Sequence, residues 1–278
     1  MCHHCVIDSV KERMLSRRDL FRGSAALATG AAAASVAAPA LAGGHGAKTP
    51  LGEIVDATHT LSAEFPTFFG VPGFKAEQKF SFKENGFNLF EMTINEHTGT
   101  HVDAPLHFSA DGNAVDEIAP EKLVAPLYVV DIAEKAAEDA DAQVTPDDLK
   151  AWIEKNGPME GACCVAMHSG WGTKASDAKA FRNADDEGKL HFPGFHIEAT
   201  KMLMEETQAV AMAVDTLSLD HGPSADFATH YAWLPSNRYG IENMAALDKV
   251  PAKGATVIVG APKHKGGSGG PARVFVAM

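Results

Sequence analysis

Cysteine is scarce in this chain: four in 278 residues, two of them at Cys2 and Cys5. The other two, Cys163 and Cys164, are adjacent within the apolar run 162–167. They read as buried thiols on a strand, which excludes a disulfide-stapled scaffold. Cys2-His3-His4-Cys5 has no second half and carries no zinc-site signal by itself. Basic residues are also few, 24 Lys and Arg against 36 Asp and Glu, for a formal charge of −12. Such a chain repels nucleic acid and anionic membrane surfaces, so the charge is read as solubility. The one extended apolar run, residues 25–38, is Ala-rich and too short for a convincing transmembrane anchor. Internal repeats and domain linkers are absent too.

The first 42 residues read as an address. Ser16-Arg17-Arg18-Asp19-Leu20-Phe21-Arg22 is a twin-arginine pattern, followed by the Ala-rich run and an A-x-A site at Ala40-Leu41-Ala42. Residues 1–42 are therefore expected to be a twin-arginine export signal, with periplasmic localisation. Residues 43–278 are expected to form one domain, long enough for a substantial core. Without the leader's five basic and three acidic side chains the formal charge becomes −14. The twin-arginine route carries folded proteins, which agrees with the lack of structural disulfides and would allow metal loading before export.

What is present in abundance is chemistry within eleven residues: His97-Thr98-Gly99-Thr100-His101-Val102-Asp103-Ala104-Pro105-Leu106-His107. On a strand, residues two apart share a face, so His101 and Asp103 aim at one point. His97 on a straight strand would lie about 13 Å from His101, at roughly 3.3 Å per residue. The segment 98–100 must bend, and Gly99 tolerates the backbone angles required. Two imidazoles and a carboxylate suit Zn²⁺ or Mn²⁺ with positions left open. His107 is left to move protons, and Pro105 ends the strand-like run ahead of it. The bland alternative is a buried His/Asp network supporting a turn.

Hydrophobic patterning places strands at 54–58, 87–95, 126–132, 163–167, 209–214, 255–259 and 273–276. Helices are expected from Thr145, a capping residue followed by Pro146, to Gly157, and over 196–207. Strands alternating with helices argue an α/β domain with a mixed sheet. The loop 65–74 holds four phenylalanines that either plug into the core or line a pocket for a flat apolar ligand. Residues 266–270, Gly-Gly-Ser-Gly-Gly, read as a flexible turn between two strands. A metal site is usually completed from distant sequence. His168, His191, His196, His221, His230, His264, Asp215, Asp220 and Glu242 are all candidates that spacing alone does not rank.

The stretch His97-x-Gly99-Thr100-His101-x-Asp103-Ala104-Pro105-x-His107-Phe108 resembles the metal-dependent cyclase-like hydrolases, which include bacterial kynurenine formamidase and isatin hydrolase. Asp56-Ala57-Thr58-His59-Thr60-Leu61, Asp215-Thr216-Leu217-Ser218-Leu219-Asp220 and the pair His230 and Glu242, with Asn243 following, also match. The resemblance spans about 54–276. It implies a swivelling β/β/α domain, usually dimeric or tetrameric, and His97, His101 and Asp103 as ligands of one metal. It further implies that His230 and Glu242 complete a second position, that Asp103 and Glu242 bridge, and that His107 is the proton shuttle; some relatives work with one metal. The family's formamidases carry Trp where this chain has Phe68, and generally lack an export leader.

The expected reaction is metal-assisted hydrolysis of a C–N bond in a small aromatic amide or lactam, of the formylkynurenine or isatin type, placing the protein in tryptophan catabolism or nearby. Phe68, Phe69 and Trp171 are the expected ring contacts. Two competitors stand beside it. One is a periplasmic binding protein that uses the metal to hold a small carboxylate without turnover. The other is a serine hydrolase on Ser169, which lacks the G-x-S-x-G elbow because Met167 stands where the leading Gly belongs.

Overall fold

The computed structural model describes residues 51–278. The expected export signal, residues 1–42, lies outside the described residues. The strands in chain order are β1 Ile54–Asp56, β2 Phe74–Phe80, β3 Leu89–Ile94, β4 His101–Asp103, β5 Val124–Asp131, β6 Gln143–Val144, β7 Cys164–His168, β8 Gly194–Phe195, β9 Ala211–Val214, β10 Tyr239–Glu242, β11 Ala255–Gly260, β12 Gly269–Pro271 and β13 Arg273–Ala277. Two compact units divide them: one over Ala76–Thr93, and the body made by residues 51–75 and 94–278.

The first unit holds most of the β2–β3 hairpin and the short helix Phe82–Asn85. Ser81 caps that helix by accepting from the Glu84 amide, and Gly86 closes it in the left-handed region at φ 80°. Every side chain of β3 is exposed.

The body is built on a nine-stranded mixed sheet in the order β1-β13-β11-β5-β7-β9-β10-β4-β12. Its centre, β5-β7-β9-β10, is parallel, and the flanking pairs on both sides are antiparallel. The mixed α/β fold read from the alternation of patterns is therefore the fold of the chain, with a curled sheet as in cyclase-like domains. Period-two alternation assigns the two faces. Leu127, Val129, Cys164 and Ala166 face a core shared with Val102, Ile241, Val257 and Val274. Tyr128, Val130, Val165 and Met167 face a second core closed by Leu149 and Trp152 of helix Pro146–Asn156 and Leu203 of helix Ile197–Glu206. Each fully buried aliphatic side chain is worth about 1.5–3 kcal/mol of transfer free energy, so these two layers hold the sheet that carries the site.

Local signals explain the helix ends. Thr145 and Asp148 cap each other, Pro146 occupies the first turn, and Gly157 ends the helix at φ 82°. His196 caps the next helix, its Nδ1 accepting from the Glu198 amide. Two expectations change. The Gly-rich segment is no flexible turn: Gly269–Pro271 is the edge strand β12, paired antiparallel with β4. The strand expected over 54–58 is limited to Ile54–Asp56, with Thr58 making an isolated bridge to Met244.

Candidate active site

Strand β4 is flanked by β10 and β12, and its register decides what converges. His101 lies opposite Glu242 and Pro271, and Asp103 lies opposite Gly240 and Gly269. Gly240 leaves space beside the carboxylate, and Gly269 leaves it beside the β4 backbone and His97. A Cβ on Gly240 would lie 3.3 Å from Asp103 Oδ2, and one on Gly269 would lie 2.8 Å from His97 Cε1. Gly99 takes φ 65° and makes the expected bend, which turns His97 back so that its Nδ1 lies 2.7 Å from Asp103 Oδ1. His107 sits in the 3₁₀ turn Pro105–Phe108 and stacks on His97 with ring centroids 3.7 Å apart.

The residues drawn from distant sequence join this floor. His101 Nε2 is 3.3 Å from both Asp103 Oδ1 and Glu242 Oε2. His230, on helix Ala228–Trp233, places Nε2 3.3 Å from Glu242 Oε1 and 3.6 Å from Asp103 Oδ2. Single ligand atoms of His101, Asp103 and Glu242 lie within 4.8 Å of one another, as do those of His97, Asp103 and His107.

The hydrogen bonds behind the imidazoles fix their tautomers. His101 Nδ1 faces the Gly99 carbonyl at 2.8 Å, which only accepts, so Nδ1 carries the proton and Nε2 points inward bare. His230 Nδ1 donates to Asp220 Oδ2 at 2.6 Å, while Asp220 also accepts from the Thr229 and His230 amides. Glu242 Oε1 accepts from the Leu219 amide. His101 Nε2 and Asp103 Oδ2 remain buried with no hydrogen-bond partner. Two orphaned lone-pair atoms facing a common centre, in a set of imidazoles and carboxylates, fit a divalent cation of the Zn²⁺ or Mn²⁺ kind.

Electrostatics agree. Burial would push the Asp103 carboxyl up, but bonds from His101, His230 and His97 outweigh it and hold the group well below the usual range. Burial would lower His101, yet the carboxylates of Asp103 and Glu242 carry it up to about 10. His107 behaves oppositely. Burial, helped by the neighbouring His97 and His230, brings it down to about 4 against the pull of Asp103 and Glu242.

Over this floor opens a cavity of about 380 Å³. Phe68, Phe69, Phe108 and Phe227 form its wall, with His97, His101, His107, His230, Glu242 and Asn243 below. Phe68 packs between Phe69, Phe192 and Phe227. Trp171, expected to contact a ring, lies elsewhere. It is 2% exposed in a third core with Phe181, Phe192 and Leu217, its indole N–H donating to the Phe181 carbonyl and Lys174 covering its face. Buried in that core, it presents no surface to the cavity. Phe108 and Phe227 take its place. Phe227 stands at the N-cap of the His230 helix in the left-handed region, with its ring centroid 5.9 Å from that imidazole.

The remaining candidates are engaged outside this floor. His168 pairs with Asp131, His191 with Asp141, and His264 with Glu96. His196 is a cap, and burial lowers His221. Ser169 donates its hydroxyl to Asp215 at 2.5 Å, and no imidazole bonds it, so the serine-hydrolase reading has no base.

A family model described as "Putative cyclase" matches residues 55–221. An isatin hydrolase of Roseibium aggregatum is 33% identical over 255 residues, 84% of this chain and 96% of its own length. A kynurenine formamidase of Salinibacter ruber is 27% identical over 193 residues, 69% of this chain and 81% of that protein. The solved structure of isatin hydrolase A from Ralstonia solanacearum superposes with a TM-score of 0.76 at 34% identity, covering 81% of this chain and 91% of the other. With the fold, the metal-competent floor and these likenesses together, the chain belongs to the cyclase-like family, related at moderate identity to isatin hydrolases and kynurenine formamidases.

Proposed function

We propose that this protein hydrolyses the C–N bond of a small, flat aromatic amide at a divalent-metal centre, with cyclic amides of the isatin kind preferred over formylated aryl amines. One observation carries the reading: a phenylalanine wall stands directly over a His/Asp/Glu floor in one cavity of about 380 Å³. The similarity to an isatin hydrolase over 84% of the chain supports the cyclic substrate. So does Phe68, where the formamidases carry Trp.

His97, His101 and Asp103, with His230 and Glu242 beside them, would hold one or two Zn²⁺ or Mn²⁺ ions, which polarise a carbonyl and acidify a water. The wall excludes bulk water and presents the flat ring to the floor. His107, kept neutral by burial, has a free lone pair to take a proton from the attacking water and return it to the leaving nitrogen. Asp220 holds His230 in the tautomer that turns Nε2 inward.

The test is a panel of isatin, N-formylkynurenine, an aryl lactone and simple aromatic carboxylates, with metal content measured on the same samples. Turnover of isatin that stops with a chelator and returns with Mn²⁺ or Zn²⁺ is expected. Tight carboxylate binding with no turnover would instead favour the binding-protein alternative. The same reading includes export through residues 1–42 and assembly as a homodimer or homotetramer. Replacing Arg17 and Arg18 by Lys is expected to keep the protein out of the periplasm, and light scattering reads the assembly state.

A further inference from the structure

Beyond the floor, an unbroken line of hydrogen bonds runs from Asp103 outward. His97 Nδ1 meets Asp103 Oδ1 at 2.7 Å, and His97 Nε2 meets Ser268 Oγ at 3.1 Å. Ser268 Oγ donates to Glu96 Oε2 at 2.6 Å, and Glu96 Oε1 meets His264 Nε2 at 2.7 Å. The proton count along this line fixes the outer nitrogen of His97. Ser268 has a single hydroxyl proton, and the Glu96 carboxylate can only accept it. The Ser268 oxygen therefore receives its own bond from His97 Nε2–H, so a neutral His97 turns its Nδ1 lone pair to the floor, and only the doubly protonated ring donates to Asp103. The place between His97 Nδ1 and Asp103 Oδ1, 2.7 Å apart, is thus taken either by that second proton or by a cation that displaces it.

The loop that supplies Ser268 is the glycine-rich segment 266–270. The Ser268 carbonyl accepts from the Ala104 amide, its own amide donates to Glu96, and the Gly266 amide donates to Asp116. A Cβ on Gly267 would come within 2.7 Å of Glu96 Oε1, and one on Gly269 within 2.8 Å of His97 Cε1. The glycines are what let the backbone close over the imidazole.

We propose that Ser268 and Glu96 are positioning residues which set the tautomer of His97, turning its Nδ1 lone pair to the cation, and that the glycine-rich segment serves to bring Ser268 there. This rests on the reading that the floor holds a divalent cation. Metal ligands whose second nitrogen is fixed by such an outer partner lose about 10- to 100-fold in affinity when the partner is removed.

The experiment titrates Mn²⁺ or Zn²⁺ alone into the metal-free full-length protein under chelator competition. Ser268→Ala and Glu96→Gln are expected to weaken binding by about 10- to 100-fold while metal-free unfolding stays where it was. Imidazole ¹⁵N shifts of the zinc-loaded protein are expected to report His97 as the Nε2–H tautomer. Should Ser268→Ala fail to fold, the near-isosteric Glu96→Gln and the ¹⁵N spectrum decide. Unchanged affinity in Glu96→Gln, or an Nδ1–H signal at His97, overturns the positioning role. Full metal occupancy in His101→Ala overturns the underlying reading instead, so the two failures are told apart.

Discussion

The floor and the wall of the cavity are held in place by different physics. On the floor, Asp103 and His101 are no more than 2% exposed, and strand register and hydrogen bonds assign each imidazole a tautomer. On the wall, Phe69 is 79% exposed and the other rings touch one another edge-on or tilted, without a directional bond. A floor atom displaced by an ångström leaves a buried charge uncompensated; a wall ring displaced as far loses some contact area. Loss of a floor residue should therefore be nearly all-or-none, and loss of a wall residue graded.

The largest effect is expected from His101→Ala or Asp103→Ala. Either should purify without stoichiometric metal and without turnover, read by elemental analysis. Next is His107→Ala, which should keep its metal while turnover falls by about 100- to 10,000-fold, the usual worth of one acid–base group. A His107 variant that lost its metal would move that residue from proton transfer to ligation, a role its distance to His97 and Asp103 makes testable. On the wall, Phe227→Ala should raise KM by about tenfold with kcat less affected, since removing one ring contact costs on the order of 1.4 kcal/mol. Phe69→Ala should do less, being mostly exposed already.

A smaller effect appears in the stability of the metal-free protein. His107 titrates at about 4 when folded and near 6.5 when unfolded. Between those values the unfolded chain binds a proton that the folded chain refuses, so wild-type stability falls as pH falls through the window. His101, raised to about 10, keeps its full contribution below 6.5 and adds no slope there. Denaturation midpoints from pH 4 to 6.5 should be flatter in His107→Ala than in wild type.

Much of the floor was legible because it is local. His97 to His107 lie within eleven residues, and Gly99 announced the bend that its φ of 65° now shows. The Thr145 cap and Gly157 stop were legible for the same reason. His230 and Glu242 needed the family resemblance, since nothing near them in sequence separates them from His191 or His264. What escaped depends on pairing across long separations. The segment 266–270 looked like a loose turn because its glycines have no side-chain pattern, yet β12 is fixed by β4, some 168 residues earlier. Phe227 was hidden by strain: it adopts φ 49°, a conformation unusual for a bulky residue, which no propensity argument assigns. Trp171 belongs to a separate buried core because Phe181, Phe192 and Leu217 close around it, a long-range packing that its own sequence neighbours do not reveal.

The bare backbone at Gly240 and Gly269 has a consequence for how such a protein can change. A side chain at Gly240 would crowd the Asp103 carboxylate, and one at Gly269 would run into the Val102 carbonyl and His97, so both positions resist new side chains. Any descendant that takes a bulkier or differently shaped molecule must rewrite the segments around Phe68 and Phe227. Phe108 and Phe227 are tied to His107 and His230 by the turn and helix they share, so the wall is freest to change around Phe68.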